Sequence, residues 1–236
     1  MPKIENLNQP ISNLVFTGKN NLWLSTIWGV IYNYNADTNE LYKLNGPYQR
    51  NGQNILLTKD SMGHLWVATE LQGLYRYNPI QKKFTLFNEF GKKGSANHPM
   101  YITLFTDKSG IIWAGTDGDG LFKINPSNET ISVYTHNETN IFSISNNTIH
   151  YINEDSHGNK WIITKKGELN ILPNSDSQIE YFNGLQHNTP TRILCSFKAT
   201  DNSLWIGTDG KGLNRVLPDG TKIHYGNQEK GNDFFA

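Results

Sequence analysis

The sequence predicts an all-β chain of five tandem repeats with four short strands each, and three observations lead to this prediction. Tryptophan recurs at spacings of 43, 47, 48 and 44 residues, and each is followed three residues later by threonine. Glycine or asparagine stands three residues before each tryptophan. No segment keeps a 3.6-residue apolar period for ten or more residues, so no long helix is predicted. The pairs are Trp23 and Thr26, Trp66 and Thr69, Trp113 and Thr116, Trp161 and Thr164, and Trp205 and Thr208.

Turn residues divide each repeat into its strands. The glycine or asparagine before the tryptophan predicts a tight hairpin turn, because these residues best tolerate a positive φ. In the three middle repeats an aspartate stands three residues earlier, where its carboxylate can accept backbone N–H bonds of the turn. A proline ends the third strand in four repeats. The turn residues are Asn20, Gly63, Gly110, Gly158 and Asn202, and the aspartates are Asp60, Asp107 and Asp155.

A four-stranded unit of about 40–50 residues is typical of a β-propeller blade. One blade exposes two apolar faces, and stacking of blades buries both, so the five tryptophan rings are expected between adjacent blades. Residues 1–236 are predicted to form a single β-propeller domain or segment, with blades at about 11–45, 54–90, 101–136, 148–183 and 192–226. Two alternatives remain open: a closed five-bladed ring, with residues 3–5 as its only candidate latch strand, or a segment of a larger propeller.

Composition excludes several classes of protein. The 21 basic and 21 acidic residues balance, so no broad positive field favours nucleic acid. A single cysteine, Cys195, excludes an internal disulfide, and its apolar neighbours predict a small core residue. The first six residues lack the apolar region of a secretion signal, and no apolar run approaches the ~20 residues that span a membrane.

Longer motifs resemble a known family. The segments 60–69 (DSMGHLWVAT), 107–121 (DKSGIIWAGTDGDGL), 155–161 (DSHGNKW) and 204–213 (LWIGTDGKGL) resemble the two-component regulator propeller repeat. Segment 143–149 (SISNNTI) is similar to its inter-blade linker, whereas the first repeat departs most from the pattern. The resemblance implies a periplasmic sensor region of a hybrid two-component histidine kinase of the Bacteroidetes type, usually with seven blades per propeller. It also implies detection of glycan breakdown products.

Candidate ligand residues lie in loops that a propeller places at one end of its blades, where a rigid scaffold positions them for binding. A carbohydrate site needs flat aromatic faces and planar polar groups that pair with hydroxyls or carboxylates. Trp28 lies outside the tryptophan register, and Arg50 can bind an acidic sugar through two hydrogen bonds. The predicted ligand-binding residues are Trp28, Tyr48, Arg50, His98, Tyr101, His187 and Arg192.

Catalytic and metal signatures are not predicted. Asp117 and Asp119 suggest calcium at first, but Lys211 at the equivalent place in the last repeat favours a turn. A glycosidase needs two carboxylates about 5–10 Å apart, and few acids fall at the loop end. We therefore predict a binding function, no enzyme and no cofactor.

The predicted partners are an oligosaccharide or other small ligand, together with further propeller and output domains of a parent protein, an output kinase among them. Open blade faces would expose apolar surface and favour a homo-oligomer. A scaffold that binds only protein is the main alternative, followed by a propeller glycosidase or lyase. Turnover of oligosaccharides, and glycan binding itself, separate these alternatives.

Overall fold

The computed structural model describes residues 9–46, 54–70, 72–87, 98–165, 167–175, 179–181, 193–209, 212–219 and 221–226. Twenty strands form five four-stranded sheets, and the strand pairs are antiparallel, which confirms the predicted all-β fold class. Each sheet joins its strands in chain order and is one blade. Within these ranges no helix has the length and hydrophobicity needed to cross a membrane. The candidate latch at residues 3–5 lies outside the described residues.

The chain divides into two compact units, Met1–Val133 and Tyr134–Ala236. The first unit holds three blades. Blade 1 consists of β1 (Ile11–Phe16), β2 (Asn21–Thr26), β3 (Ile31–Asn35) and β4 (Glu40–Leu44). Blade 2 consists of β5 (Ile55–Lys59), β6 (Leu65–Thr69), β7 (Gly73–Asn78) and β8 (Lys83–Phe87). Blade 3 consists of β9 (Tyr101–Thr106), β10 (Ile112–Thr116), β11 (Leu121–Asn125) and β12 (Thr130–Tyr134), whose last residue falls across the unit boundary.

The second unit holds two blades. Blade 4 consists of β13 (Ile149–Glu154), β14 (Lys160–Thr164), β15 (Leu169–Leu172) and β16 (Glu180–Tyr181). Blade 5 consists of β17 (Ile193–Lys198), β18 (Leu204–Thr208), β19 (Leu213–Val216) and β20 (Lys222–Tyr225). As predicted, each tryptophan of the repeat lies on the second strand of its blade.

The repeated aspartate fastens the first turn of blades 2, 3 and 4 to the tryptophan. In blade 3 the carboxylate of Asp107 accepts the backbone N–H groups of Ser109 at 3.0 Å and Ile111 at 2.9 Å. It also accepts the indole N–H of Trp113 at 2.8 Å. Asp60 and Asp155 make the same three kinds of bond in their own blades. The motif therefore ties turn geometry to the position of the core tryptophan.

The threonine of the motif closes the second turn. The hydroxyl of Thr69 donates to the carbonyl of Gly73 at 2.8 Å, and Thr116 donates to Gly120 at 2.7 Å. Thr208 makes the same bond to Gly212 in blade 5. In blades 2 and 3 both turns are therefore fastened by contacts within one repeat.

A pH dependence follows from the aspartate of blade 4. Burial favours a higher pKa for Asp155, but hydrogen bonds from Asn159, Trp161 and backbone N–H groups outweigh it and hold the pKa at about 2. A carboxyl with a lowered pKa contributes stability above its unfolded pKa of 3.8, and this contribution is lost as the pH falls toward about 2. The free energy of unfolding is therefore expected to fall between about pH 4 and pH 2.

Urea unfolding across this pH range tests the expectation with Asp155→Asn, in which the group no longer titrates. The fall in unfolding free energy should be shallower in this variant than in the wild type. Asp37→Asn changes an exposed acid of blade 1 and should leave the slope as in the wild type. Equal slopes for the wild type and Asp155→Asn would contradict the assignment.

The tryptophans of blades 1 and 2 lie between blades, as predicted. Trp23 packs with residues of blade 2, Leu57 and Val67 among them, and meets the ring of Tyr77 edge-on at 5.8 Å. Trp66 packs with residues of blade 3, including Ile112 and Phe122. Trp113 is also buried. Hydrophobic burial between these blades therefore stabilises the first unit.

The second unit differs from the prediction at two places. Trp161 is partly buried and packs, as predicted, against a cluster that includes Leu204 and Ile206 of blade 5. Trp205 is only half-buried and stacks on Tyr225 of its own blade with the rings 5.4 Å apart. The expectation that Cys195 is a core residue is wrong: its side chain is exposed. The alternation of β17 buries Ser196 and exposes Cys195 and Phe197.

One turn prediction also fails. Gly63, Gly110, Gly158 and Asn202 adopt positive φ, but Asn20 does not. Blade 1 has Thr17 where the middle blades have aspartate, so its turn lacks the carboxylate that organises the other turns. The side chain of Asn20 instead donates to Asp37 of the neighbouring turn at 2.5 Å.

Candidate ligand site

In the first unit, the turns between the second and third strands lie beside the described residues that enter the first strands, at the end of the blades that we call the upper end. In blade 1 the backbone N–H of Ile27 donates to the carbonyl of Pro10 at 3.1 Å. In blade 3 the N–H of Asp117 donates to the carbonyl of Met100 at 2.9 Å. These bonds join each turn to the segment that enters its own blade. Residues from both segments are therefore held side by side.

Trp28 stands on the second turn of blade 1 and is 55% exposed. The turn is closed by two bonds, from the N–H of Gly29 to the carbonyl of Thr26 at 3.0 Å and from the N–H of Thr26 to the carbonyl of Val30 at 2.9 Å. Gly29 adopts a φ of 72°, which a side chain would disfavour. The neighbouring Ile27 is also exposed. A fixed backbone therefore presents an indole and an aliphatic side chain to solvent.

His98 lies against the backbone of blade 2 at the upper end. A Cβ at Gly73 would come within 3.0 Å of Nδ1 of His98, and the φ of Gly73 is 94°. The glycine is thus needed both for the backbone conformation and for the close approach of the imidazole. His98 is partly exposed to solvent.

Tyr101 begins β9 and is 4% exposed. Its ring packs in the cluster that contains Trp66 and Leu74. Burial raises the pKa of Tyr101, and the negative charge of Asp119 raises it further. Tyr101 is therefore a core residue beneath the upper end. Its contact with a ligand stays a prediction.

Four predicted site residues lie outside the described residues: Tyr48, Arg50, His187 and Arg192. Of the described ones, His98 and Tyr101 come together around Gly73 and Leu74 of blade 2. Trp28 stands on a separate turn at the same end of the first unit.

The acidic turn of blade 3 has the structure of a turn. The N–H of Asp119 donates to the hydroxyl of Thr116 at 3.0 Å, and Gly118 and Gly120 both adopt positive φ. Asp117 and Asp119 are exposed and two residues apart, rather than facing each other across a cleft. Among the described residues, no group of three or more histidine, cysteine or acidic side chains is placed to hold a metal ion.

The sequence interpretation missed one exposed pair in the second unit. Ile141 is 72% exposed and Phe142 is 44% exposed, in the loop that precedes β13. Side-chain oxygens of Asn137 and Asn140 accept backbone N–H groups within this loop, from Thr139 and Phe142 respectively, each at 3.0 Å. The signal available in the sequence was an Ile-Phe pair in a polar run, directly before the segment 143–149 that resembles the inter-blade linker.

Three solved structures illustrate what the chain is similar to. The extracellular domain of a protein described as a hybrid two-component system from Bacteroides thetaiotaomicron aligns with a TM-score of 0.68 and 17% identity over 92% of this chain. Virginiamycin B lyase from Staphylococcus aureus, in a catalytically inactive form with quinupristin, aligns with a TM-score of 0.71 and 15% identity over 96%. YCF48 bound to D1 peptide aligns with a TM-score of 0.63 and 16% identity over 87%. The chain is a β-propeller.

The propeller covers different shares of these proteins. It spans about 30% of the length of the two-component extracellular domain, 73% of the lyase and 62% of YCF48. No family model and no curated protein matches its sequence. At these identities the likeness establishes the fold.

Proposed function

We propose that this propeller is a ligand-sensing extracytoplasmic module of a two-component signalling protein. It binds an oligosaccharide at the upper end of its first unit and passes the signal to an output kinase outside this sequence. In the parent protein the module is periplasmic. The repeat motif and the shared fold with an extracellular domain of a hybrid two-component system support the signalling part of the proposal.

The observation that carries the binding part is the exposed indole of Trp28. An aromatic face binds the C–H groups of a sugar ring, and hydrogen-bonding groups nearby select its hydroxyls. The turn around Trp28 is fixed by backbone bonds, so the backbone that carries the ring has little entropy left to lose on binding. The partly exposed imidazole of His98 and the carboxylates of Asp117 and Asp119 provide polar groups at the same end.

Binding without turnover is part of the proposal. The same fold supports an enzyme, virginiamycin B lyase, so the fold leaves catalysis open. Asp117 and Asp119 sit on one exposed turn, an arrangement that does not enclose a scissile bond between two carboxylates.

A second candidate is a protein-binding scaffold. The exposed pair Ile141 and Phe142 favours it, because a rigid loop that presents two large apolar side chains suits a protein partner. Exposed apolar side chains on blade 1 (Leu14 and Phe16) and on blade 5 (Phe197) also suit association of the chain with itself. The propeller YCF48 was solved with a bound peptide.

Thermal unfolding in the presence of plant, host and microbial oligosaccharides tests the proposal. A ligand at about 100 times its Kd adds about 2.7 kcal/mol to the stability of the folded state. For a domain of this size the melting temperature should rise by roughly 5–10 °C with one class of glycan. Trp28→Ala and Arg50→Ala should abolish the rise.

Two controls make the result specific. Tyr42→Ala removes another exposed aromatic, on the fourth strand of blade 1, and should leave the rise intact. Monosaccharides of the same composition should give a smaller rise than the oligosaccharide. A flat response across the panel would contradict glycan binding by this chain and favour the protein-binding scaffold.

A further inference from the structure

Blade 5 presents an apolar face to solvent. Phe197 on β17 is 61% exposed and pairs with Trp205 of β18, which is only half-buried. Tyr225 stacks on Trp205 and is 38% exposed. Leu204 and Ile206, on either side of the tryptophan in the strand, point to the other face and pack against blade 4. We call the surface made by Phe197, Trp205 and Tyr225 the open face of blade 5.

The same face of blade 2 is buried by the next blade. Trp66 and Trp205 are each the second residue of the second strand, and Phe87 and Tyr225 each end the fourth strand. In both blades the two rings contact each other. In blade 2 the pair is 0% and 8% exposed, because residues of blade 3 pack on it. At these positions the open face of blade 5 therefore matches a face that carries a contact between blades elsewhere in the chain.

Blade 1 leaves an apolar patch exposed on the opposite face of its sheet. Val15 packs with Trp23 against blade 2, so its neighbours in β1, Leu14 and Phe16, point to the other face. Leu14 is 51% exposed and Phe16 is 65% exposed. In blade 2 the place of Leu14, nine residues before the tryptophan, is taken by Leu57, which packs with Trp23 of the preceding blade. The open patch of blade 1 (Leu14 and Phe16) therefore stands where a blade receives the one before it.

The two exposed phenylalanines stand at positions that contact each other between blades 2 and 3. Thr58 of blade 2 and Phe197 each stand eight residues before the tryptophan of their blade. Thr106 of blade 3 and Phe16 each stand seven residues before it. The hydroxyls of Thr58 and Thr106 hydrogen-bond to each other at 2.7 Å. A contact built in the same way between blade 5 and blade 1 would place Phe197 against Phe16, an apolar pair instead of a polar one.

We propose that the open face of blade 5 packs on the open patch of blade 1 of a second copy of this chain. Phe197 contacts Phe16 of the second copy, and Trp205 contacts its Leu14. Burial of these apolar side chains stabilises the association. The contact joins two different surfaces, so one chain can bind a neighbour at each of them. This contact does not depend on glycan binding at the upper end.

Sedimentation velocity at increasing protein concentration measures the association. The wild type should shift from monomer to larger species as its concentration rises. Phe197→Glu and Phe16→Glu, each made alone, should raise the Kd of association about tenfold or more, because each places an unpaired charge in an apolar contact. Ile80→Glu makes the same kind of change at a 92% exposed side chain between β7 and β8, and should associate as the wild type does.

A mixture of the two phenylalanine variants tests which surfaces meet. Phe197→Glu keeps the patch of blade 1 and Phe16→Glu keeps the face of blade 5, so the mixture can form one intact contact. It should therefore contain a dimer at concentrations where each variant alone is monomeric. The melting temperature of each variant shows that it is folded, since changes at exposed side chains cost little stability.

Four results would overturn the proposal. A wild type that stays monomeric would mean that the two surfaces are covered within one chain or by further blades of a longer protein. Association of Phe16→Glu equal to that of the wild type would indicate contact of blade 5 with blade 5. An equal loss in Ile80→Glu would show that the effect is not specific to the two surfaces. Absence of a dimer in the mixture would show that these two surfaces do not meet.

Discussion

Replacement of Trp66 by alanine is expected to lower the free energy of unfolding by about 3–5 kcal/mol. Trp66 is 0% exposed and fills the space between blades 2 and 3. Its ring meets Phe87 edge-on with the centroids 5.0 Å apart, and its indole N–H donates to Asp60 at 2.9 Å. Truncation removes this apolar burial, leaves a cavity and takes one donor from a buried carboxylate.

Trp28→Ala is the matched control, because it deletes the same side chain from an exposed turn. Its unfolding free energy should differ from that of the wild type by about 0.5 kcal/mol or less. Chemical unfolding monitored by circular dichroism measures both variants under the same conditions. Equal losses in Trp66→Ala and Trp28→Ala would contradict the role of the repeated tryptophan as the contact between blades.

Replacement of Asp107 by alanine is expected to cost about 3 kcal/mol or more, since each buried donor left without an acceptor costs about 1–3 kcal/mol. Asp107 is buried, and its carboxylate serves the N–H groups of Ser109, Ile111 and Trp113. Ser109 is exposed, so its backbone N–H can donate to water instead. Trp113 is buried, so its indole N–H cannot. The variant should also loosen the first turn of blade 3.

Two further variants are compared with Asp107→Ala. Asp107→Asn keeps one acceptor oxygen and should lose less stability than alanine. Asp219→Ala removes an exposed turn aspartate that accepts the N–H of Thr221, and should cost about 1 kcal/mol or less. The urea midpoint of each variant measures the effect. An Asp107→Ala midpoint equal to that of Asp219→Ala would show that the carboxylate does not hold the turn.

The fold could be predicted because bonds that hold the turns of a blade join residues of the same repeat. In blade 2 the aspartate six residues before the tryptophan bonds the first turn and the indole, and the threonine three residues after it closes the second turn. These residues therefore recur along the sequence at a regular spacing. Where blade 1 has Thr17 in place of the aspartate, the local pattern weakens, and the predicted positive φ at Asn20 is absent.

The candidate site was harder to predict, because its side chains meet across loops of different blades or sit on irregular backbone. The approach of His98 to Gly73 joins residues 25 positions apart and leaves no periodic trace. The exposure of Cys195 follows from the alternation of β17, which buries Ser196 instead, and the apolar run Ile-Leu-Cys does not show which face of the strand is buried.

Trp28 was found for the opposite reason. It breaks the tryptophan period, so the core of the blade does not account for it, and the structure places it in solvent. The same reasoning applied to Ile141 and Phe142 would have marked them as exposed apolar residues in a polar loop.

The most direct test of the proposed function is calorimetric titration of the propeller with the glycan that stabilises it most, followed by chromatography of the recovered glycan. The account predicts saturable binding by the wild type, at least a tenfold higher Kd for Trp28→Ala, and recovery of the glycan unchanged. Cleavage of the glycan would show an enzyme, and binding that Trp28→Ala leaves intact would show that the upper end of the first unit is not the site.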